Sequence, residues 1–191
     1  MVEKQKYFMD ISISLRSNEQ EVIQACIRNE NWAQKLVYEE YYEQMLCLCM
    51  RYSSSHEDAL DILHDGFLKV FQHIPKYEVG TMLSAWIRRI MVNTAIDFYR
   101  RESRRSTADL DEARTVWVDG QNVIGELNAE DVMKAIQMLS PIYRSIFNLY
   151  VMEGFSHKEI ADTLHISEGT SRSNLVKARQ KLKEMLIHYE R

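Results

Sequence analysis

The sequence predicts an all-α protein, two small helical domains joined by a flexible acidic linker. Three observations predict it. Only six glycines and two prolines punctuate 191 residues, too few for the turns of a β-sandwich or barrel. Apolar residues recur at spacings of three and four, the signature of one helix face. That periodicity fails from residue 103 to 126, where Gly120, Gly125 and several acids interrupt it, and then returns. The divisions are an N-terminal extension over 1–19, a helical domain over 20–105, the linker over 106–127 and a second domain over 128–191.

Taken in order, Val22, Cys26 and Ile27 open an apolar stripe. It continues through Trp32, Leu36, Val37, Tyr41, Met45, Leu48 and Cys49 until Ser53-Ser54-Ser55 breaks it. A second helix runs from about Glu57 to Ile74, with Ala59, Ile62, Leu63, Phe67, Val70, Phe71 and Ile74 inward. Pro75 to Gly80 forms a loop. Leu83, Ile87, Ile90, Thr94 and Phe98 then define a long helix ending near Arg101. Each stripe must be covered, so these helices pack on one another.

Beyond the linker the chain is densely signposted. Val132, Ile136 and Leu139 give a first helix. Ser140 as N-cap and Pro141 at the first helical position open a second, which buries Ile142, Ile146, Phe147 and Tyr150 and ends before Gly154. Ser156 and Glu159 fit a capping box for a short helix with Ile160, Ala161 and Leu164 inward. His165-Ile166-Ser167 makes a turn, and Ser167 caps a long final helix carrying Leu175, Ala178, Leu182, Met185 and Leu186.

Charge narrows the function. The net charge is −4, which alone speaks against a nucleic-acid binder. Yet residues 81–105 hold six arginines against two acids, and 106–127 hold one base against five acids. Such blocks let one segment grip phosphate while others meet different partners. The longest apolar run, Met45 to Met50, is six residues where a membrane span needs about twenty, so no membrane insertion is expected. The N-terminus lacks the apolar core of a signal peptide. With three cysteines and no metal-type spacing, a reduced cytoplasmic compartment is the expectation. The cysteines read as core residues and the histidines as surface residues, with no metal site. There is no phosphate-binding glycine loop and no paired nucleophile and base. An enzyme, a cofactor and a small-molecule substrate are therefore not expected.

A short helix, a tight turn and a second helix with polar, basic first turns is the layout of a DNA-reading helix-turn-helix. Ala161 is small where the helices cross, Ile166 plugs the corner and Leu175 anchors the second helix. That leaves Thr170, Ser171, Arg172, Ser173, Asn174, Lys177, Arg179 and Lys181 for groove and phosphates. Hydroxyls and arginine read base edges, and lysine holds phosphate.

Three stretches carry a family resemblance. SHKEIADTLHISEGTSRSNLVKARQKLKEML resembles region 4 of bacterial sigma factors of the sigma-70 family. DALDILHDGFLKVFQHI resembles the region 2 helix that docks on the RNA polymerase clamp. LSAWIRRIMVNTAIDFYRRESRR resembles the helix that melts and reads the −10 promoter element. The short chain, with a linker in place of a middle domain, is similar to the extracytoplasmic-function subgroup. Departures are His64 for a usual Gln, Leu60 for a frequent acid, Ser171 for Val, Asn174 for a base, and His165 for a Gly in the turn.

The resemblance implies a factor that binds core RNA polymerase and promoter DNA and directs initiation by recognising −35 and melting −10 DNA. It also implies an anti-sigma factor clamping between the domains. The clamp-docking row is Asp61, His64, Asp65, Leu68, Lys69 and Gln72, an acidic face with one apolar member that suits a basic partner. The −10 set is Trp86, Arg89, Asn93, Arg100, Arg101, Arg104 and Arg105, where an aromatic beside Arg and Asn suits an unpaired strand. Trp86 suits core packing equally. The Pro75–Met82 loop lies where the family holds an extruded base. A different reading is a stand-alone helix-turn-helix transcription regulator with an N-terminal sensing domain, which needs neither the Asp61/Asp65 face nor the Arg100–Arg105 cluster.

Overall fold

A computed structural model describes residues 18–106 and 128–189. The predicted N-terminal extension and the linker from residue 107 lie outside the described residues, and so do the side chains of Arg104 and Arg105. Among the described residues the fold is helical, with a single isolated β-bridge between Val79 and Thr81.

The opening apolar stripe is two helices, not one: α1 (Glu19–Ile27) and α2 (Asn31–Tyr52). The break has a local cause. Asn29 adopts φ +59°, a left-handed conformation that asparagine tolerates. The Asn29 N–H bonds to the Cys26 carbonyl and the Glu30 N–H to the Ala25 carbonyl, at 2.9 and 3.0 Å. These two bonds form a Schellman motif, with asparagine in the usual glycine position. Trp32, expected in the stripe, is instead 42% exposed, its indole N–H donating to Glu30 at 2.6 Å. Cys47 is exposed as well, while Cys26 and Cys49 are buried.

Ser55 starts α3 (His56–His73) by accepting the Asp58 N–H, and a 3-10 turn over Ile74–Lys76 ends it. Helix α4 (Leu83–Ser106) runs several residues past the expected Arg101. It lies close against α3 at Gly66, where an added Cβ would fall 2.2 Å from the Met91 sulfur. A larger residue there would require the Met91 side chain to move. Leu63, Phe67, Val70, Ile87 and Met91 fill the space around it.

In the second domain Asn128 and Asp131 form a capping box that opens α5 (Ala129–Met138). Pro141 starts α6 (Pro141–Phe147), but the Ser140 side chain makes no cap hydrogen bond, contrary to the sequence expectation. The chain then widens into a π turn, Asn148–Met152, and leaves it through Gly154 at φ +75°. The Ser156/Glu159 capping box forms as expected and opens α7 (His157–Leu164). His165 turns the corner at φ +55°, and α8 (Glu168–Tyr189) follows.

Ala135, Ile136, Leu139, Ala178 and Leu182 make a small core joining α5 to α8. Ile146, Leu149, Ile160, Leu164 and Leu175 instead belong to one apolar cluster with the first domain. The two domains therefore meet directly, α2 against α5 and α6, and α4 against α6 and α7.

Candidate nucleic-acid interface

The helix-turn-helix is built from α7 and α8. Ser167 accepts the Thr170 N–H at 3.0 Å, which fixes where α8 begins. Leu175 and Ala161 are buried, and Ile166 is half-buried in the corner. Thr170, Arg172, Ser173 and Lys177 stand exposed on the first turns of α8, with Asn174 half-buried beside them. Arg172 pairs with Glu168 at 2.8 Å. Both side chains are well exposed, so the pair is worth about 0–1 kcal/mol and leaves Arg172 free to turn toward a groove. Further along α8, Arg179 lies over the Tyr150 ring at 5.7 Å and Lys181 over Tyr143 at 5.5 Å.

Ser171 does not belong to this face. It is 0% exposed, and its hydroxyl is 2.9 Å from His157 Nδ1. The His157 ring stacks on Tyr150 with centroids 4.5 Å apart. Ser171 thus ties the two helices of the motif together and cannot reach a base without unpacking them. A small polar residue where an apolar one is usual was the available signal, but its partner His157, fourteen residues away, was not legible as such.

On α3 the row Asp61, His64, Leu68 and Gln72 is exposed, and Leu68 is 68% exposed. Asp65 and Lys69 complete the row but face α4: Asp65 meets Arg101 at 3.4 Å and Lys69 meets Asp97 at 3.2 Å. On α4, Arg89 and Asn93 are exposed. Trp86 is half-buried, its ring 5.4 Å from that of Tyr77. Arg101 also lies over the Phe98 ring at 6.0 Å. Arg100 is drawn away from its expected partner, because its guanidinium donates to the Thr163 carbonyl of α7.

The loop before α4 is pinned at its root. The Tyr77 hydroxyl lies 2.7 Å from the Thr81 carbonyl and 2.9 Å from a Glu19 carboxylate oxygen, while Val79 and Met82 at its tip are exposed. The α3 row, the α4 row and this loop are thus neighbours on one domain. Among the described residues no group of three or more His, Cys, Asp or Glu gathers as metal ligands, and no helix is long and apolar enough to cross a membrane.

Sequence reasoning missed a cluster at the seam: Arg51, Arg88, Arg144, Asn148 and Glu153. Arg88 counted only as part of a basic block. Arg144 is 3% exposed, and burial pulls its pKa down to about 10, so it remains charged at neutral pH.

Comparison with known proteins identifies the family. Residues 37–105 match the family model for sigma-70 region 2, and residues 129–182 match that for sigma-70 region 4. The chain belongs to the sigma-70 family. Among curated relatives of this sigma factor, the extracytoplasmic-function (ECF) RNA polymerase sigma factor SigE of Mycolicibacterium smegmatis is 30% identical over 155 residues, 78% of this chain and 60% of that one. The chain thus spans less than two thirds of that relative. The ECF sigma factor SigM of Mycobacterium tuberculosis is 28% identical, over 90% of this chain and 85% of the relative. These relatives place the sigma factor in the extracytoplasmic-function group. The sigma factor RpoE of Bartonella quintana, solved with the anti-sigma factor NepR, is 27% identical and covers 80% of this chain and 95% of its own, with a TM-score of 0.49.

Proposed function

We propose that this sigma factor docks on core RNA polymerase through the outer row of α3, opens and reads −10 DNA with α4 and the loop before it, and reads −35 DNA with the start of α8. One observation carries the reading. The exposed Asp61, His64, Leu68 and Gln72 of α3 and the exposed Arg89 and Asn93 of α4 stand on two helices packed against each other. One small domain therefore presents a face for a basic protein and a face for an unpaired strand side by side. Docking on polymerase then delivers α4 to DNA.

The −10 set is Trp86, Arg89, Asn93, Arg100 and Arg101, with Arg104 and Arg105 next along the helix. Stacking, base-edge hydrogen bonds and phosphate contacts are what these residue types supply. The −35 set is Thr170, Arg172, Ser173, Asn174, Lys177, Arg179 and Lys181. The protein itself performs no catalysis in this reading; chemistry belongs to the polymerase. It works in the cytoplasm beside the polymerase, without cofactor or small-molecule substrate, and an anti-sigma factor is its inhibitory partner. Family membership disfavours the stand-alone regulator.

Run-off transcription with purified core polymerase and a selected promoter pool tests the function. Promoter-dependent transcripts that require the chain are expected; none from any promoter would overturn it. For the docking row, Asp61→Lys with Asp65→Lys is expected to abolish binding to core polymerase without unfolding the chain. The one pair lost, Asp65–Arg101, is exposed and weak. Unchanged core affinity in the double variant would remove the assignment.

A further inference from the structure

The contact between Ser171 and His157 decides where a proton sits. A hydroxyl removed from water needs an acceptor for its hydrogen, and Ser171 is 0% exposed. Among the described residues the one polar atom its oxygen meets is His157 Nδ1, at 2.9 Å. Ser171 therefore donates to Nδ1, which carries a lone pair and no hydrogen. A neutral imidazole holds its single proton on the other nitrogen, so the hydrogen is on Nε2. A buried serine of α8 thus sets the tautomer of a histidine of α7, because the bond made by one ring nitrogen decides what the other presents.

That Nε2–H is open to solvent. Among the described residues it has no hydrogen-bond partner, and it is not one of their buried unpartnered polar atoms. The ring itself is held firmly. It stacks on Tyr150 with centroids 4.5 Å apart and planes 25° apart, and the Arg179 guanidinium lies over the same Tyr150 ring. A hydrogen bond on one edge and an aromatic ring against one face fix the direction of a single donor. Ordering a side chain on binding costs affinity, and here that ordering is complete before any ligand arrives.

Its place in the motif says what the donor meets. His157 is the first residue of α7, and Ser171 lies in the first turn of α8 beside the exposed Thr170 and Arg172. In a helix-turn-helix the second helix enters the groove by its first turns, while the first helix crosses the phosphate backbone. A donor on α7, tied to the first turn of α8, therefore meets a backbone oxygen next to the bases being read. The surrounding charge suits an anion. Lys158 is exposed at the next position, and the Glu159 carboxylate is engaged by the Ser156 N–H and hydroxyl.

We infer that His157 is an uncharged phosphate-binding residue of the −35 site, donating its Nε2–H to one backbone oxygen, and that buried Ser171 is the positioning residue that keeps the hydrogen on that nitrogen. The inference rests on the reading of −35 DNA by α8 proposed above. It has two consequences that set His157 apart from the basic residues of α8. A phosphate contact carries no sequence information, so its worth is the same on every −35 sequence. A neutral donor brings no charge to displace counterions, so it adds affinity without steepening the salt dependence.

The test combines binding and spectroscopy. Holoenzyme assembled from core polymerase and each chain is bound to promoter duplex at pH 8, above the ordinary imidazole range. His157→Phe with Ser171→Val removes both hydrogen-bonding partners together and keeps a ring against Tyr150, so the fold should persist. This double variant should bind about fivefold more weakly, equally on every −35 sequence and with an unchanged salt slope. Methylphosphonates placed one at a time along the −35 backbone should weaken the unaltered chain at one position to which the double variant is indifferent. Nitrogen-15 resonances of the His157 ring in the full chain should show the hydrogen on Nε2, and Ser171→Val should mix the two tautomers, which a merely space-filling serine would not do. A hydrogen on Nδ1 in the unaltered chain overturns the inference even if the double variant fails to fold. So does undiminished affinity in a folded double variant, or a loss confined to particular −35 sequences. Arg172→Ala is measured alongside: if it weakens binding and the double variant does not, the His157 assignment alone fails. If neither weakens binding, the reading of −35 DNA by α8 fails and takes the assignment with it.

Discussion

A buried hydroxyl at the start of a reading helix has to be matched from inside the protein, and Ser171 is matched by His157. Its position five residues past Ile166 looks like a groove position on a helical wheel, because the wheel shows what faces away from α8's own stripe and not what α7 covers. Its neighbours Arg172 and Ser173 were legible for the opposite reason: nothing packs on them. The two kinds of position should separate by mutation. Ser171→Val is expected to lower stability by about 0.5–1.5 kcal/mol, the usual worth of one hydrogen bond, and to leave the preferred −35 sequence unchanged. Arg172→Ala should leave stability nearly unaltered but cost about 1–3 kcal/mol of discrimination and relax preference at one base position. Binding selections on a randomised −35 duplex check both. A changed base preference in Ser171→Val would return that residue to the reading face.

Helix starts and stops were legible where the signal is local. Ser156 and Glu159 lie three residues apart and satisfy each other: the Ser156 N–H donates to Glu159 at 2.8 Å, and the Glu159 N–H to Ser156 at 3.2 Å. The Ser156 N–H and, at 2.7 Å, the Ser156 hydroxyl both donate to the Glu159 carboxylate and hold it below its ordinary value. A carboxyl depressed in the folded state contributes stability at neutral pH and loses it as pH falls through the carboxylate range. Glu159→Gln should therefore lower the melting temperature most near pH 7, with the gap from the unaltered chain narrowing in acid. An equal gap at pH 7 and pH 3 would show that the box is not the cause. His165 poses a different case, a side chain held at φ +55°. A left-handed residue other than glycine carries a strain of about 1–2 kcal/mol, partly offset by glycine's greater freedom when unfolded. His165→Gly should thus stabilise the chain by about 0.5–1 kcal/mol in thermal unfolding, and His165→Ala should not. The Asn29 break between α1 and α2 hides from periodicity because the apolar spacing survives across it. The π turn hides because its shape is tied to α2, residues distant in sequence.

At the scale of the whole molecule, periodicity delimits helices well but is silent on which helices of different domains touch. That is why α2, α3 and α4 were foreseeable as a bundle while the seam of Glu153 with Arg51 and Arg88 was not. The function proposed here nonetheless requires the domains to act on separate DNA, and this separation can be measured. Lys177 is exposed one turn beyond Ser173 and suits a phosphate contact. Lys177→Ala should weaken binding evenly across sequences and flatten the dependence of log affinity on log salt by about one unit. Its defect, like that of Arg172→Ala, should vanish on a template whose upstream element is deleted, since α8 then has nothing to read. Asn93 is exposed on α4, one turn beyond Arg89. Asn93→Ala should slow strand opening on both templates and be rescued by a pre-melted bubble, because the energy it supplies is spent only on unpaired bases. Arg100→Ala should share that rescue. If Arg172→Ala instead impaired opening of a bound promoter while Asn93→Ala altered only upstream selectivity, the division of labour between α4 and α8 would be reversed.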